Sequence, residues 1–231
     1  MPNTHNNQIV WDETGQKFYE TGLDRGVLYP ASSSGTYPKG YAWNGLTAVT
    51  ENPSGAEATS LYADNIEYIN MYSIEEYAAT VEAYTYPDEF KECIGEVELV
   101  AGVYIGQQAR KSFGMCYRTK VGNDVDGDDH AYLLHIIYGA RAGVSERAHN
   151  TINDSPEAVQ FSWELSTVPV NVTDGKPTAS IVIDSRTANS TKLAALEAIL
   201  YGTAATTGQN PTAAVDARLP LPDEIKTLMT A

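Results

Sequence analysis

Cysteine is nearly missing from this chain of 231 residues: only Cys93 and Cys116 occur, with no CxxC pair and no Cys/His cluster. A zinc site and a disulfide framework are therefore excluded, and a reducing compartment fits. Basic residues are also scarce. The 15 Lys and Arg stand against 30 Asp and Glu, a formal charge of −15, whereas a surface that grips phosphate backbones or anionic lipid needs the opposite balance. No segment approaches the roughly 18 apolar residues of a membrane helix. The opening MPNTHNNQIVWDETGQ has no basic stretch leading into an apolar run, so the chain is expected to stay soluble in the cytoplasm where it is made, with no membrane partner.

Catalytic signatures are equally short. There is no G-x-S-x-G elbow, no cysteine at a helix start with a histidine partner, and no phosphate loop, since GTYPKG has one lysine and glycines at the wrong spacing. Cys93 in KECIG and Cys116 in FGMCYRT read as small buried apolar residues. His130 and His135 lie five apart and face opposite sides of a strand, while His5 and His149 sit in polar segments. The carboxylate pairs Glu75/Glu76 and Glu96/Glu98 have the residue type for glycosidase chemistry, but in a chain this acidic they read as a solvated face. No catalytic residue and no cofactor is assigned, and the chain is not expected to be an enzyme.

What the sequence does hold is β pattern. Apolar residues make up 42% of it, enough for a domain-sized core, and the length suits one all-β domain with long loops. The first 22 residues read as a polar arm anchored by Trp11, Phe18 and Tyr19, with another subunit as its possible target. Residues 23–202 read as the β domain, and 203–231 as a loop and short terminal segment packing on it. Strands are predicted in RGVLYPA, on either side of the NPSG turn (KGYAWNGLTAVTEN and ATSLYADNIEYINMY), and in EEYAATVEAYTY, where residues alternate with period two. PDEFKECIG predicts a helix of two turns or less ending by Gly95, followed by a long excursion with strand-like pieces in EVELVAGVYIGQQARK. SFGMCYRTK and HAYLLHIIYGARA form a predicted hairpin, and EAVQFSWELSTVPVNV and PTASIVID supply further strands. The period changes in NSTKLAALEAILYG, where Leu193, Leu196, Ile199 and Leu200 repeat at three and four residues between a cap at Asn189 or Ser190 and Gly202. LPLPDEIKTLMT predicts a short terminal helix. The sum is a mainly antiparallel β-sandwich or partial barrel with one flanking α-helix and long loops.

Two features bear on binding. NDVDGDDH sets Asp124, Asp126 and Asp128 around Gly127 like the front half of a calcium loop. The bidentate glutamate due about twelve positions from the first ligand is missing, so these are weak metal candidates and a solvated hairpin turn is the stronger reading. The 15 tyrosines, spread along β segments, suit self-association better than one ligand pocket, although a carbohydrate-binding sandwich uses them as well.

GYAWNGLTAVTENPSGAEATSLYADN, AYTYPDEFKECIG, GVYIGQQARKSFGMCYRTKVGND and NTINDSPEAVQFSWELSTVPV, in that order, resemble the major tail protein family of long-tailed phages of Gram-positive bacteria. The likeness runs from about Gly22 to Gly202 and continues in ARLPLPDE. It implies a tail-tube-type β-sandwich, a virion component of the siphophage tail that self-assembles into stacked hexameric rings and forms the conduit for DNA ejection. DNA would pass an acidic lumen without specific binding. The partners implied are further copies of the chain, the tape measure protein, the tail terminator and the distal tail protein. The resemblance also makes the arm (Trp11, Phe18, Tyr19) and the excursion from Pro87 to Arg110 (Asp88, Phe90, Tyr104) candidate contacts between subunits. Two readings compete with it: a calcium-assisted β-sandwich binding module for carbohydrate or a cell surface, and an acidic hydrolase. The loop from Thr203 to Asp216 and the Asp-rich turn depart from the family pattern.

Overall fold

The computed structural model describes residues 9–152, 154, 158–206 and 213–230. The described elements run β1 (Tyr19–Pro30), β2 (Tyr41–Ala42), β3 (Leu46–Glu51), β4 (Ala58–Ala63), β5 (Ile66–Tyr72), β6 (Ala78–Ala83), α1 (Phe90–Cys93), β7 (Val97–Val100), β8 (Val103–Ile105), β9 (Phe113–Asn123), β10 (Gly127–Ala142), β11 (Phe161–Thr167), β12 (Ser180–Asp184), α2 (Ser190–Tyr201) and α3 (Pro222–Thr230). Eight strands form one antiparallel sheet in the order β2-β1-β9-β10-β11-β6-β3, with β12 paired to β10 off that path. The fold is mainly β, as the pattern predicts.

β10 is the spine. One side pairs with β9 along most of its length. The other side pairs first with β12, over Leu133–Ile137, and then with β11, over Ala140–Ala142. The switch falls at Gly139, whose φ of +59° lies in the left-handed region, and the register against β9 shifts between Ile137 and Ala140. A Cβ at Gly139 would collide with the Val168 carbonyl oxygen. Gly139→Ala therefore combines a left-handed penalty of about 1–2 kcal/mol with displacement of the β10–β11 junction. It is expected to lower the melting temperature by at least 4 °C in calorimetry.

Beyond β10 the sheet curls, and β3 returns toward β1 without joining it. Between β2 and β3 the Trp43 backbone N–H still donates to the Gly26 carbonyl of β1 at 2.8 Å, but β3 itself forms no ladder with β1. This is a partial barrel that does not close. Alternation along the strands divides the apolar residues between its two faces. Leu28, Met115, Ile137, Val81 and Leu165 point into the curl with Trp43, Phe90 and Trp163. Val27, Tyr29, Cys116, Leu134, Ile136 and Tyr138 point to the outer face, where Leu193, Leu196 and Leu200 of α2 and Ile225 of α3 cover them. Each fully buried leucine contributes roughly 1.5–3 kcal/mol, so the outer-face residues of the sheet hold α2 in place. Two tyrosine hydroxyls in this outer core find carbonyl partners, whereas the buried Tyr201 hydroxyl has none among the described residues. Tyr29 Oη donates to the Leu200 carbonyl at 2.7 Å and Tyr138 Oη to the Pro220 carbonyl at 2.8 Å. The helix ends where its sequence dictates. The Asn189 side chain accepts from the N–H groups of Thr191 and Lys192, and Gly202 stops the helix at φ +73°.

Three expectations are corrected or refined. ATSLYADNIEYINMY is not one strand beside its NPSG neighbour but a hairpin of its own, β4–β5, which turns at Asp64-Asn65, both with positive φ. Asn and Asp tolerate that conformation, and the two-residue turn they form outcompetes a continuous strand. The outer face carries the expected flanking helix, α2, and the short terminal helix read in LPLPDEIKTLMT, α3, which packs on it. β1 begins at Tyr19, so its strand takes in the end of the stretch read as an arm. The loop expected from Thr203 to Asp216 is described only in part, since residues 207–212 lie outside the described residues; its ends are joined by a Thr203–Val215 bridge.

Candidate assembly surface

The surface that stands out is built by two hairpins that leave the main sheet. β4–β5 lies between the end of β3 and the start of β6. α1 and β7–β8 follow the end of β6. Because Glu51 pairs with Ala79 and Leu46 with Ala83, the two hairpins leave opposite ends of the β3–β6 pair.

Each hairpin is amphipathic. Pairing places Thr59, Leu61 and Ala63 with Met71, Ile69 and Ile66 on one face of β4–β5. Ser60, Tyr62, Glu67, Asn70 and Tyr72 occupy the other, where Ser60 Oγ donates to Asn70 Oδ1 at 2.7 Å. The apolar face is uncovered, with Leu61 45% and Ile66 64% exposed. On β7–β8, pairing puts Val97 and Val100 with Ile105 and Val103 on one exposed face, with Glu98 and Tyr104 on the other and Leu99 exposed at the register shift between them. A two-stranded ribbon with a bare apolar face is marginal in water, and patches of this kind mark interaction sites.

The residues singled out from sequence distribute as follows. Asp88 and Tyr104 are brought together by Lys91, whose Nζ donates to Asp88 Oδ1 at 2.7 Å and sits 4.0 Å from the Tyr104 ring centroid. The Asp88 carboxylate holds the Lys91 ammonium above its ordinary range, and the arrangement ties the β7–β8 ribbon to α1. Phe90, expected as a contact between subunits, is corrected to a core residue. It has no exposed surface and packs at 4.5 Å from the Trp43 ring and 5.0 Å from Trp163, because Phe90 and Cys93, three apart on α1, share its inward face.

The arm and the Asp-rich turn prove to be one construction. The backbone N–H groups of Gly15 and Lys17 donate to Asp124 Oδ1 at 2.9 and 3.4 Å, and Tyr19 Oη donates to Asp128 Oδ1 at 2.8 Å. Phe18 lies against the His130 ring and under the Arg186 guanidinium. Asp126 is engaged by His130 Nδ1 at 2.8 Å and by Asn123, which together hold its carboxyl below the usual range. Residues 15–19 are thus clasped by the β9–β10 turn of their own chain, and Ile9, Val10 and Trp11 ahead of them are exposed, Trp11 at 74%. Among the described residues no group of three His, Cys, Asp or Glu converges as a metal site, and the three aspartates point to different partners. Adding millimolar Ca²⁺ is expected to leave the melting temperature unchanged, since a ligand that binds the native state must raise it.

The clefts of the described residues are shallow. One of about 410 Å³ lies between α2 and the β9–β10 hairpin, but its Arg118 is already spent on Asp24 at 2.9 Å and on Glu197 at 3.8 Å. Both thiols are buried, and burial pushes each up to about 12, far from the range of a nucleophile. No described helix is long and apolar enough to cross a membrane.

No family model and no curated protein matches the chain. Among solved structures it is similar to a chain of an extracellular contractile injection system, the PVC sheath-tube complex in its extended state. The identity is 12%, over 69% of this chain and 88% of that one, with a TM-score of 0.29. A likeness at that level carries no functional argument.

The ribbon residues Leu61, Ile66, Ile69, Met71, Val97, Val100, Val103 and Ile105 were not singled out from sequence. The signal was present in the alternation on both sides of Asp64-Asn65. What alternation does not reveal is whether an apolar face meets the chain's own core.

Proposed function

We propose that this chain is a structural subunit of a phage tail tube that assembles into stacked hexameric rings and forms a conduit for DNA, and that it is not an enzyme. The observation that carries the reading is the pair of uncovered apolar ribbons at opposite ends of β3–β6. Two different patches on opposite ends of one subunit cannot satisfy each other within a single chain. When each meets its complement on another copy the contact is heterologous, which closes into rings or propagates as a stack. The sequence resemblance to the major tail proteins of Gram-positive phages supports the same reading. So does the charge of −15, which suits a bore through which a polyanion must slide without adhering. On this reading the tape measure protein, the tail terminator and the distal tail protein meet the tube inside and at its ends, and the protein resides in the virion tail.

Negative-stain electron microscopy of the purified protein over a concentration series, alone and with the neighbouring tail proteins, tests the proposal. Six-fold rings or hollow cylinders are expected. A strict monomer at every concentration and in every mixture, or a cylinder with a basic bore, would overturn it.

A further inference from the structure

Where β3 ends and the β4–β5 ribbon begins, the open mouth of the curled sheet is closed by a polar cluster that assembly does not explain. Glu51, the last residue of β3, accepts from Tyr77 Oη at 3.1 Å and from Tyr117 Oη at 3.2 Å. The His135 ring of β10 stacks on Tyr117, its cross-strand neighbour, with centroids 4.7 Å apart and planes 2° from parallel. Nε2 of His135 meets the Thr119 hydroxyl at 3.0 Å. Nδ1 is buried and has no hydrogen-bond partner; its nearest carboxylate oxygen, Glu51 Oε1, stands 3.8 Å away, beyond hydrogen-bond reach.

We propose that His135 and Glu51 form a proton-operated switch at the root of the β4–β5 ribbon, closed while His135 is neutral and opening more readily once it takes up a proton. In the neutral state the ring fills the mouth as an aromatic plate and leaves Glu51 to the two tyrosines. A proton on the ring places an imidazolium in a largely buried position, its Nδ1 shielded from water, with one long ion pair in compensation. The charged groups facing the ring are Glu51 from β3 and Glu20 from β1, and both favour the imidazolium; Tyr77 and Tyr117 stay neutral, their hydroxyls raised by burial. Burial outweighs the two carboxylates and lowers the His135 value from the ordinary 6.5. The sign follows: the open state binds the proton at about pH 6.5, the closed state only at lower pH. The closed form is therefore fully favoured above about 6.5 and loses ground as pH falls from there toward the lowered value. Because Asn52 N–H donates to the Ala78 carbonyl and Ser54 bridges Glu76 just beyond Glu51, loosening at this point frees the base of the ribbon. The switch belongs to the single chain and stands whether or not the ribbon joins copies.

Amide hydrogen exchange of residues 46–51 and 78–83 between pH 7.5 and 5.5, corrected for the intrinsic pH dependence of exchange, tests it. In the wild type, protection is expected to fall by up to about tenfold per pH unit below 6.5. H135Q offers Thr119 an amide in place of Nε2 and cannot titrate, so its protection should not change over this range. E51Q removes a carboxylate that favours the imidazolium, so its fall should continue to lower pH than in the wild type. A wild type with no fall, an H135Q protein that falls like the wild type, or an E51Q profile that coincides with it would each overturn the proposal. If H135Q does not fold, the wild-type and E51Q profiles decide.

Discussion

Replacing Ile69 and Met71 together with aspartate is expected to abolish self-assembly and leave a folded monomer. Both side chains lie on the bare face of β4–β5 with about half their surface in water, so the monomer loses little packing and its melting temperature should move little. In the proposed interface they are the central apolar anchors. Burying an unpaired carboxylate at such a position costs about 2 kcal/mol or more, and two of them weaken association roughly a thousandfold. Sedimentation velocity against concentration, paired with calorimetry, reads both quantities. Assembly that persists at wild-type concentrations would remove this ribbon from the interface; a large fall in melting temperature would mean that the face is covered within the chain.

The largest effect on the isolated fold is expected from Trp163→Ala. Trp163 stands at the centre of the inner core, 1% exposed, with its ring 5.9 Å from Trp43, 5.5 Å from Tyr86, 5.0 Å from Phe90 and 5.6 Å from Phe161. These neighbours come from β11, α1 and the connections flanking β3 and β6, so they cannot collapse together into the vacated volume. The expected loss is about 3–5 kcal/mol, a large part of the ~5–15 kcal/mol that stabilises a typical domain. In a chain of this size that lowers the melting temperature by roughly 6–20 °C. Calorimetry with Trp163→Phe as the partial deletion checks it, and a change below about 1 kcal/mol would show that the inner core is not continuous.

Legibility in the sequence followed the range of the interaction responsible. The end signals of α2 are local, and Asn189 and Gly202 act as caps where the pattern put them. The alternation from Ala78 to Ala83 likewise reproduces the observed burial of β6 residue by residue. The hairpin of β9 and β10 and the stop at Gly95 were also readable, since turn residues carry their own backbone preferences. What escaped depended on distant partners. Phe90 looked like any aromatic in a loop excursion until Trp43 and Phe113 closed around it. Asp124 and Asp128 read as residues of a solvated turn, with cation ligation the weaker reading, because nothing local announces that residues 15–19, more than a hundred positions earlier, would use them. The same blindness concealed the ribbons: alternation gives an amphipathic strand, and only the assembled sheet shows which apolar faces have been left outside.

The position of β6 has a mechanical meaning. It connects the two ribbons in sequence and is bonded along its length to β11 on one side and β3 on the other. In the proposed assembly, a pull between neighbours gripping opposite ribbons would run lengthwise along this strand and shear both ladders at once. Rows loaded in that direction must fail together, whereas a strand tugged sideways unzips one bond at a time, so tension along β6 would meet both ladders in their resistant direction.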